Sequence, residues 1–383
     1  MITKPVDSLL YQTHARVHLA NIRSNIEGIR HTIGEQRKML IAVKANAYGH
    51  GAVEVSRMAE ELGVDWLGVA TVPEGIELCQ AGIHLPILKF SPAFPEEMPA
   101  ALATGITLTV CDEENIRLLN QVGGLNGIIE NVHLKVDTGM GRIGVTPADA
   151  PRLASLIENE CPFLHLEGVF THLPSSDGSD RVFTLNQVER FHHTVMQIEQ
   201  AIQRSVPLVH CANSGGVLAY PESWFDMVRP GIMIYGFYPG ERTPHTIDLR
   251  PGLSFLSRVS FIKKVPAGTS IGYGRTWIAP EETIIATIPV GYADGFNRLF
   301  SNSGRVLIKG HSYPIVGRVC MDQCMVNLGA RSDVRVGDEV VLIGSSGNEE
   351  ITAEEWAQKL NTITYEVTCQ INSRVTRVFD PYE

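Results

Sequence analysis

The chain has 383 residues, 44% of them hydrophobic and 19% charged, enough for a large enzyme barrel or for two domains with real cores, which excludes a disordered chain. Forty-two acidic residues against 32 basic ones leave a net charge of −10, and without a run of Lys or Arg this argues against a nucleic-acid partner. No stretch approaches the roughly 20 apolar residues of a membrane helix, and residues 1–22 lack an apolar core of signal-peptide length, so a cytoplasmic protein with no membrane partner is expected.

From residue 39 onward, short runs rich in Val, Ile and Leu alternate with segments of helical periodicity, the pattern of parallel βα units. The predicted strands are residues 39–43 (MLIAV), 65–70, 85–90, 106–110, 132–136 (VHLKV), 164–170, 207–211 and 231–236 (GIMIYG). Helical stretches such as residues 53–63 and 186–205 lie between them. Eight repeats in about 200 residues favour an α/β fold of the closed (β/α)8 TIM type over an open doubly wound sheet. After residue 245 the texture changes to closely spaced strand-like runs with Gly and Pro turns, which predicts a mostly β C-terminal domain. One helix is expected inside it, over residues 351–360 with Thr352 as its cap. The predicted domains are 12–245 for the barrel and 246–383, together with 1–11, for the β domain. Seven scattered cysteines suit reduced thiols, and the one close pair, Cys320 and Cys324, lacks the companions of a zinc site, so no metal is expected.

Barrel enzymes carry their chemistry at the C-terminal ends of the strands. The first predicted strand delivers Lys44, followed by ANAYGHG, whose glycines permit a tight turn. The fifth leads into Lys135, Asp137 and Arg142, the sixth into His172, the seventh into Asn213, Ser214, Gly215 and Gly216, and the eighth follows Arg229. A lysine closing an inner strand is desolvated, which frees its amine as a nucleophile or Schiff base. That chemistry suggests a carbonyl cofactor such as pyridoxal phosphate. Ser214, Gly215 and Gly216 with Gly231 and Ile232 offer a backbone cradle for its phosphate, although Asn-Ser-Gly-Gly by itself is weak evidence and is usually just a turn.

Nine segments in order extend this reading over nearly the whole chain: AVKANAYGHG, KVDTGMGRIG, GVFTHL, ANSGG, MVRPGIMIYG, SIGYGRTW, PVGYADG, GRVCMDQ and TYEVTCQINSRVTR. Together they resemble the alanine racemases, the fold-type III pyridoxal phosphate enzymes. The resemblance implies racemisation of L- and D-alanine by two bases on opposite faces of the substrate, supplying D-alanine for peptidoglycan. Lys44, which also holds the cofactor covalently, serves one face, and Tyr273 from the other subunit of a homodimer serves the other. His172 and Arg229 form the hydrogen-bonded chain that adjusts the tyrosine, and Arg229 bonds the pyridine nitrogen. A guanidinium keeps its proton, so the nitrogen stays unprotonated and the ring is a weaker electron sink. Related barrel decarboxylases carry an acidic residue there, which sets them apart from this chain.

The same resemblance assigns Tyr48, Asn213, Ser214, Gly231, Ile232 and Tyr365 to cofactor binding. It assigns Arg142, Met321, Tyr292 and Asp322 to substrate binding, with Met321 and Tyr292 coming from the second subunit. Lys135 matches a lysine modified as a carbamate, a change that would turn its repulsion with Arg142 into attraction. Read from the residues alone, Tyr273 is a strand tyrosine and His172 a buried histidine. A racemase of serine or of broad specificity is the nearest competing activity.

Overall fold

The computed structural model describes residues 9–178 and 180–381. The chain divides into two compact units: Asn21–Ala47 with Gly51–Arg250, and the described residues up to Ala20 with Tyr48–His50 and the chain from Pro251 onward.

The first unit is a closed barrel of parallel strands. They are Lys38–Ala42, Trp66–Val69, Ile87–Lys89, Ile106–Val110, Glu130–Lys135, Leu164–Phe170, Leu208–His210 and Met227–Val228, the last pairing back onto the first. Helices separate them, and their ends follow local chemistry. Thr71 and Glu74 form a reciprocal capping box on helix Val72–Gln80. Asp112 caps Glu113–Asn126, which stops at the left-handed Gly127. Leu40, Trp66, Leu88, Leu208 and Met227 pack together inside the barrel, with Phe90 against them.

Seven of the eight expected strands stand where the apolar runs place them; GIMIYG does not. Ile232–Tyr235 is a turn of 3-10 helix, fully buried, entered from Pro230 and Gly231 and ended by the left-handed Gly236. A short run of buried apolar residues has the same composition in a strand and in a buried helical turn, so periodicity cannot separate them. The eighth strand is Met227–Val228, so Arg229 follows its strand instead of preceding it.

In the second unit, among the described residues, one sheet runs in the order His311–Pro314, Arg305–Ile308, Glu339–Ser346, Leu253–Arg258, His14–Val17, Thr376–Phe379. Glu349–Ile351 also pairs with Glu339–Ser346. A second sheet joins Phe261–Val265, Thr283–Ile288 and Cys324–Gly329, and Ser270–Ile271 forms a short hairpin with Trp277–Ile278. His14–Val17 lies antiparallel to Leu253–Arg258 and parallel to Thr376–Phe379. Those ladder bonds hold the N-terminal segment in this unit, whereas the sequence range 12–245 gave it to the barrel. The Ala353–Leu360 helix is present, with the Thr352 hydroxyl accepting from the Glu355 N–H. It is not alone, because Thr364–Gln370 forms another helix after the left-handed Asn361. Phe255, Phe296 and Phe300 surround Trp356 at centroid distances of 6.2, 5.3 and 4.6 Å, the aromatic core on which these elements pack.

Candidate active site

The Lys44 strand ends beside the eighth strand. The Ala42 N–H donates to Pro230 O at 3.1 Å, and the Tyr235 hydroxyl donates to Ala42 O at 2.8 Å. Lys44, half-buried, therefore stands next to the Arg229–Gly231 segment, with its Nζ 5.9 Å from the Phe90 ring centre. The chain then makes a left-handed turn that the glycines do not make alone. Ala45, Asn46, Ala47 and Tyr48 all have φ between 51° and 54°, a conformation costing an L-residue about 1–2 kcal/mol. Specific bonds hold it: Ala47 N–H to Val43 O at 2.7 Å, Gly51 N–H to Asn46 O at 2.9 Å, Ala52 N–H to Asn46 Oδ1 at 2.8 Å and Ala45 N–H to Glu74 Oε1 at 2.7 Å.

Arg229 is 5% exposed. Its guanidinium donates to His210 Nδ1 (3.0 Å), Thr171 O (2.6 Å) and Cys211 O (3.1 Å), with His172 Nδ1 at 3.4 Å. All of these bonds are made by the two terminal nitrogens. Complete burial pulls its pKa down to about 10, so it remains a cation at neutral pH. Because arginine can only donate, His210 Nδ1 must accept, which leaves the proton on Nε2. That proton faces His133 Nδ1 at 2.9 Å, and His133 Nε2 lies 3.4 Å from Glu167 Oε2 without forming a hydrogen bond to it. Phe170 stacks on His210 at 4.8 Å. Burial first, then the Arg229 charge, holds the His172 and His210 pKa values well below the usual imidazole range, so both are neutral.

This buried relay is what sequence reading missed. Its signal was present: His133 and Lys135 stand two apart on one strand, so the two-residue period puts the histidine on the same inner face as the lysine.

Lys135 is buried, with its amine 4.4 Å from the Phe170 ring centre. Desolvation, then repulsion from Arg229 and Arg142, pushes its pKa down to about 7. The Asp137 carboxylate accepts from the N–H groups of Gly139, Met140 and Gly141 and shapes the loop that presents the exposed Arg142. At the seventh strand end, Asn213 Oδ1 caps the short helix Ser214–Ala219 and receives the Ser176 hydroxyl at 2.7 Å. Ser214 Oγ accepts the Gly231 N–H at 2.9 Å, joining the two loops. A Cβ on Gly215 would lie 2.6 Å from Ser176 Oγ and one on Gly216 2.9 Å from the Ala212 Cβ, so only glycine fits either position.

These residues fit the cofactor that the sequence suggests. Arg229 has an Nε–H outside all its protein hydrogen bonds, suited to a heteroaromatic nitrogen. Ser214 and Gly231 meet where the loops after the seventh and eighth strands join, the place where barrel enzymes often bind a phosphate, and Lys44 supplies the amine. A cavity of 510 Å³ lined by Trp66, Thr107, Asn131 and Glu167 sits at the opposite, N-terminal ends of the strands, where barrel conservation serves stability more than chemistry.

The remaining candidates lie in the second unit. Tyr273 opens a 3-10 turn after Ser270–Ile271 and is 74% exposed. It lines a cavity of 460 Å³ with Lys263, Thr287, Cys320 and Met325. Tyr292 and Met321, both exposed, come from adjoining segments, since the Tyr292 N–H donates to Cys320 O and the Ala293 N–H to Met321 O. Asp322 pairs with Arg374 at 2.7 Å, and Arg374 also reaches the buried Asp294 at 3.2 Å. Tyr48 and Tyr365 lie with their ring centres 5.9 Å apart, and burial pushes the Tyr48 phenol up.

Residues 17–239 match the family model of the alanine racemase N-terminal domain, and residues 253–379 that of the alanine racemase C-terminal domain. The chain belongs to the alanine racemase family. It is accordingly an enzyme, an amino-acid racemase. It is 50% identical over 369 residues to the alanine racemase of Cutibacterium acnes, covering 95% of this chain and 97% of that one. It is 46% identical to that of Chlorobaculum tepidum, covering 96% and 95%. Among solved structures, the alanine racemase of Clostridium difficile 630 superposes with a TM-score of 0.92 at 38% identity, covering 97% of each chain. The alanine racemase of the D-cycloserine producer Streptomyces lavendulae gives 0.90 at 34%, covering 98% of each. The barrel with its mostly β partner unit is thus the family's fold, and no helix among the described residues is long and apolar enough to cross a membrane.

Proposed function

We propose that this racemase interconverts L- and D-alanine with pyridoxal 5′-phosphate and two bases, Lys44 and Tyr273 from a second copy of the chain. The observation that carries the proposal is the buried, neutral-pH cation of Arg229 beside the Lys44 strand end, its Nε–H left outside the protein's own hydrogen bonds. When bound, the cofactor supplies an electron sink for negative charge at the substrate Cα.

The chain's own residues do the rest. Lys44 binds the cofactor and holds or delivers the proton on one face of Cα, and Tyr273 does so on the other, with His172 and Arg229 adjusting the phenol. Arg229 donates to the ring nitrogen and, charged up to about pH 10, does not pass its proton on, which restrains side reactions of a strongly delocalised carbanion. Tyr48, Asn213, Ser214, Gly231, Ile232 and Tyr365 hold the cofactor. Arg142, Tyr292, Asp322 and the Met321 N–H orient the substrate carboxylate and close the site. Lys135, with a pKa of about 7, has neutral amine available for a carbamate, and the resulting anion would sit well beside Arg142 and Arg229. The functional unit is a cytoplasmic homodimer that supplies D-alanine for peptidoglycan.

Purified protein loaded with pyridoxal phosphate should exchange the alanine Cα proton for deuterium in heavy water and convert either enantiomer to the other. No exchange by the loaded protein would defeat the proposal, and faster D-product from L-serine than from L-alanine across an amino-acid panel would move the substrate assignment.

A further inference from the structure

Lys44 is aimed by the left-handed turn that follows it, and one side chain outside that turn holds it. Glu74 is the third residue of the neighbouring helix Val72–Gln80, on the next βα unit of the barrel. Its carboxylate is divided between two tasks. Oε2 accepts the Ala70 N–H at 2.8 Å and the Thr71 N–H at 3.1 Å, closing the capping box with the Thr71 hydroxyl, which accepts the Glu74 N–H at 3.3 Å. Oε1 turns the other way and accepts the N–H of Ala45, the residue after Lys44, at 2.7 Å.

The second bond is not needed for capping. A capping-box glutamate needs only to reach back to its own N-cap backbone, and here that is done by Oε2. The bond to Ala45 falls at the first of the four successive non-glycine residues with φ near +52°. There the backbone is strained, and a charge-assisted bond to its N–H opposes relaxation to a right-handed conformation. A relaxed turn would swing the Lys44 side chain, and an ångström of displacement at a reacting group costs about a hundredfold in rate.

We propose that Glu74 is a positioning residue of the racemase reaction: by bonding the Ala45 N–H it locks the left-handed turn that presents the Lys44 amine at the barrel mouth. The proposal rests on Lys44 being the cofactor lysine, yet its first readout does not need the cofactor.

The test compares Glu74→Gln, Thr71→Ala and the double variant Glu74→Gln/Ala45→Gly with the full-length parent. Gln keeps the volume but has one acceptor oxygen, so it cannot serve both backbone targets. Thr71→Ala weakens the same helix cap without touching the bond to Ala45. In cofactor-free protein, amide exchange at Ala45 should accelerate about tenfold to a hundredfold in Glu74→Gln, as expected for a lost charged hydrogen bond, and stay within about twofold of the parent in Thr71→Ala. In loaded protein, Glu74→Gln should shift the pH midpoint of the visible absorption band and lower kcat more than it changes KM, whereas Thr71→Ala should lower only the thermal midpoint. Glycine tolerates a positive φ without a lock, so Ala45→Gly should return the band and the thermal midpoint of Glu74→Gln toward the parent.

If Glu74→Gln and Thr71→Ala are alike in amide exchange and in the band, Glu74 is only a helix cap and the proposal is wrong. It also fails if the band shifts but glycine at position 45 does not bring it back. Should Glu74→Gln not fold, the double variant must fold; its failure as well would overturn the proposal. A parent that gains no visible band with pyridoxal phosphate would instead defeat the cofactor reading, while the exchange result would still decide whether Glu74 holds the turn.

Discussion

The two units of this racemase prepare their candidate residues in opposite ways. In the barrel, Arg229, His210 and His133 are buried and bonded to one another or to backbone carbonyls, Lys135 is buried against the Phe170 ring, and burial has moved the pKa values of all four down. In the β unit, Tyr273, Tyr292 and Met321 are exposed at 74%, 43% and 53%, and only the backbone turns beneath them are fixed. Such a division teaches that the barrel residues are organised within one chain, whereas Tyr273 and Tyr292 stay solvent-exposed in it. That asymmetry is what the proposed sharing of sites between two copies of the chain would require.

The strongest challenge to the comparison is complementation. Lys44→Ala and Tyr273→Phe should each lower racemisation by about 10³-fold or more. If sites are shared between subunits, mixed dimers of the two variants contain one intact site, and refolding equal amounts together should restore about a quarter of the parent activity. No recovery would place both bases in one chain. Tyr273→Phe should also impair proton removal from one enantiomer more than from the other, as read from the deuterium content of each product.

Next in size is the relay. His210→Phe leaves the Arg229 guanidinium and His133 each short of a buried partner, so it should destabilise the fold by about 2–4 kcal/mol in denaturant unfolding. Tyr292→Phe, in the exposed set, should change stability by less than about 0.5 kcal/mol. A reversed order would show that the barrel residues are not the pre-organised set.

Lys135 gives, per pH unit, a smaller effect with a definite sign. Its folded pKa of about 7 lies below its ordinary value of 10.5, so between those limits the unfolded chain binds more protons. Stability therefore rises with pH through that window, by up to about 1.4 kcal/mol per pH unit from this group, and the penalty is fully present below pH 7. Lys135→Met should flatten the slope in bicarbonate-free buffer. Bicarbonate should flatten it in the parent only, if the amine forms a carbamate. Thr352→Ala in the β unit should cost about 1 kcal/mol through the lost cap and leave racemisation unchanged.

Much of the barrel was legible because inner parallel strands are continuous apolar runs bounded by helical periodicity, a signal carried by neighbouring residues. The eighth strand was misplaced because Met227–Val228 is too short to show a period, while Ile232–Tyr235 is as apolar as a strand and buried as a helical turn. Lys44 and Ser214 could be named because strand ends point to chemistry, and Arg229 through the family resemblance, its strand having been misplaced. For His133 the two-residue period gives the inner face but not the partner, since a histidine in an apolar strand acquires meaning only from what it faces across the barrel, here His210.

By itself, the sequence determined seven of the eight barrel strands, where the texture changes to a β domain, that Thr352 would cap a helix, and that a lysine would close the first strand. Local periodicity and turn chemistry suffice for these, because each depends on residues a few positions apart. Tertiary structure alone decided that His14–Val17 joins the second unit and that a histidine pair carries Arg229 toward Glu167. It also decided that Glu74 reaches across to the turn after Lys44. Those outcomes depend on pairing and desolvation between residues tens or hundreds of positions apart, and only closure of the chain brings such partners within hydrogen-bonding distance.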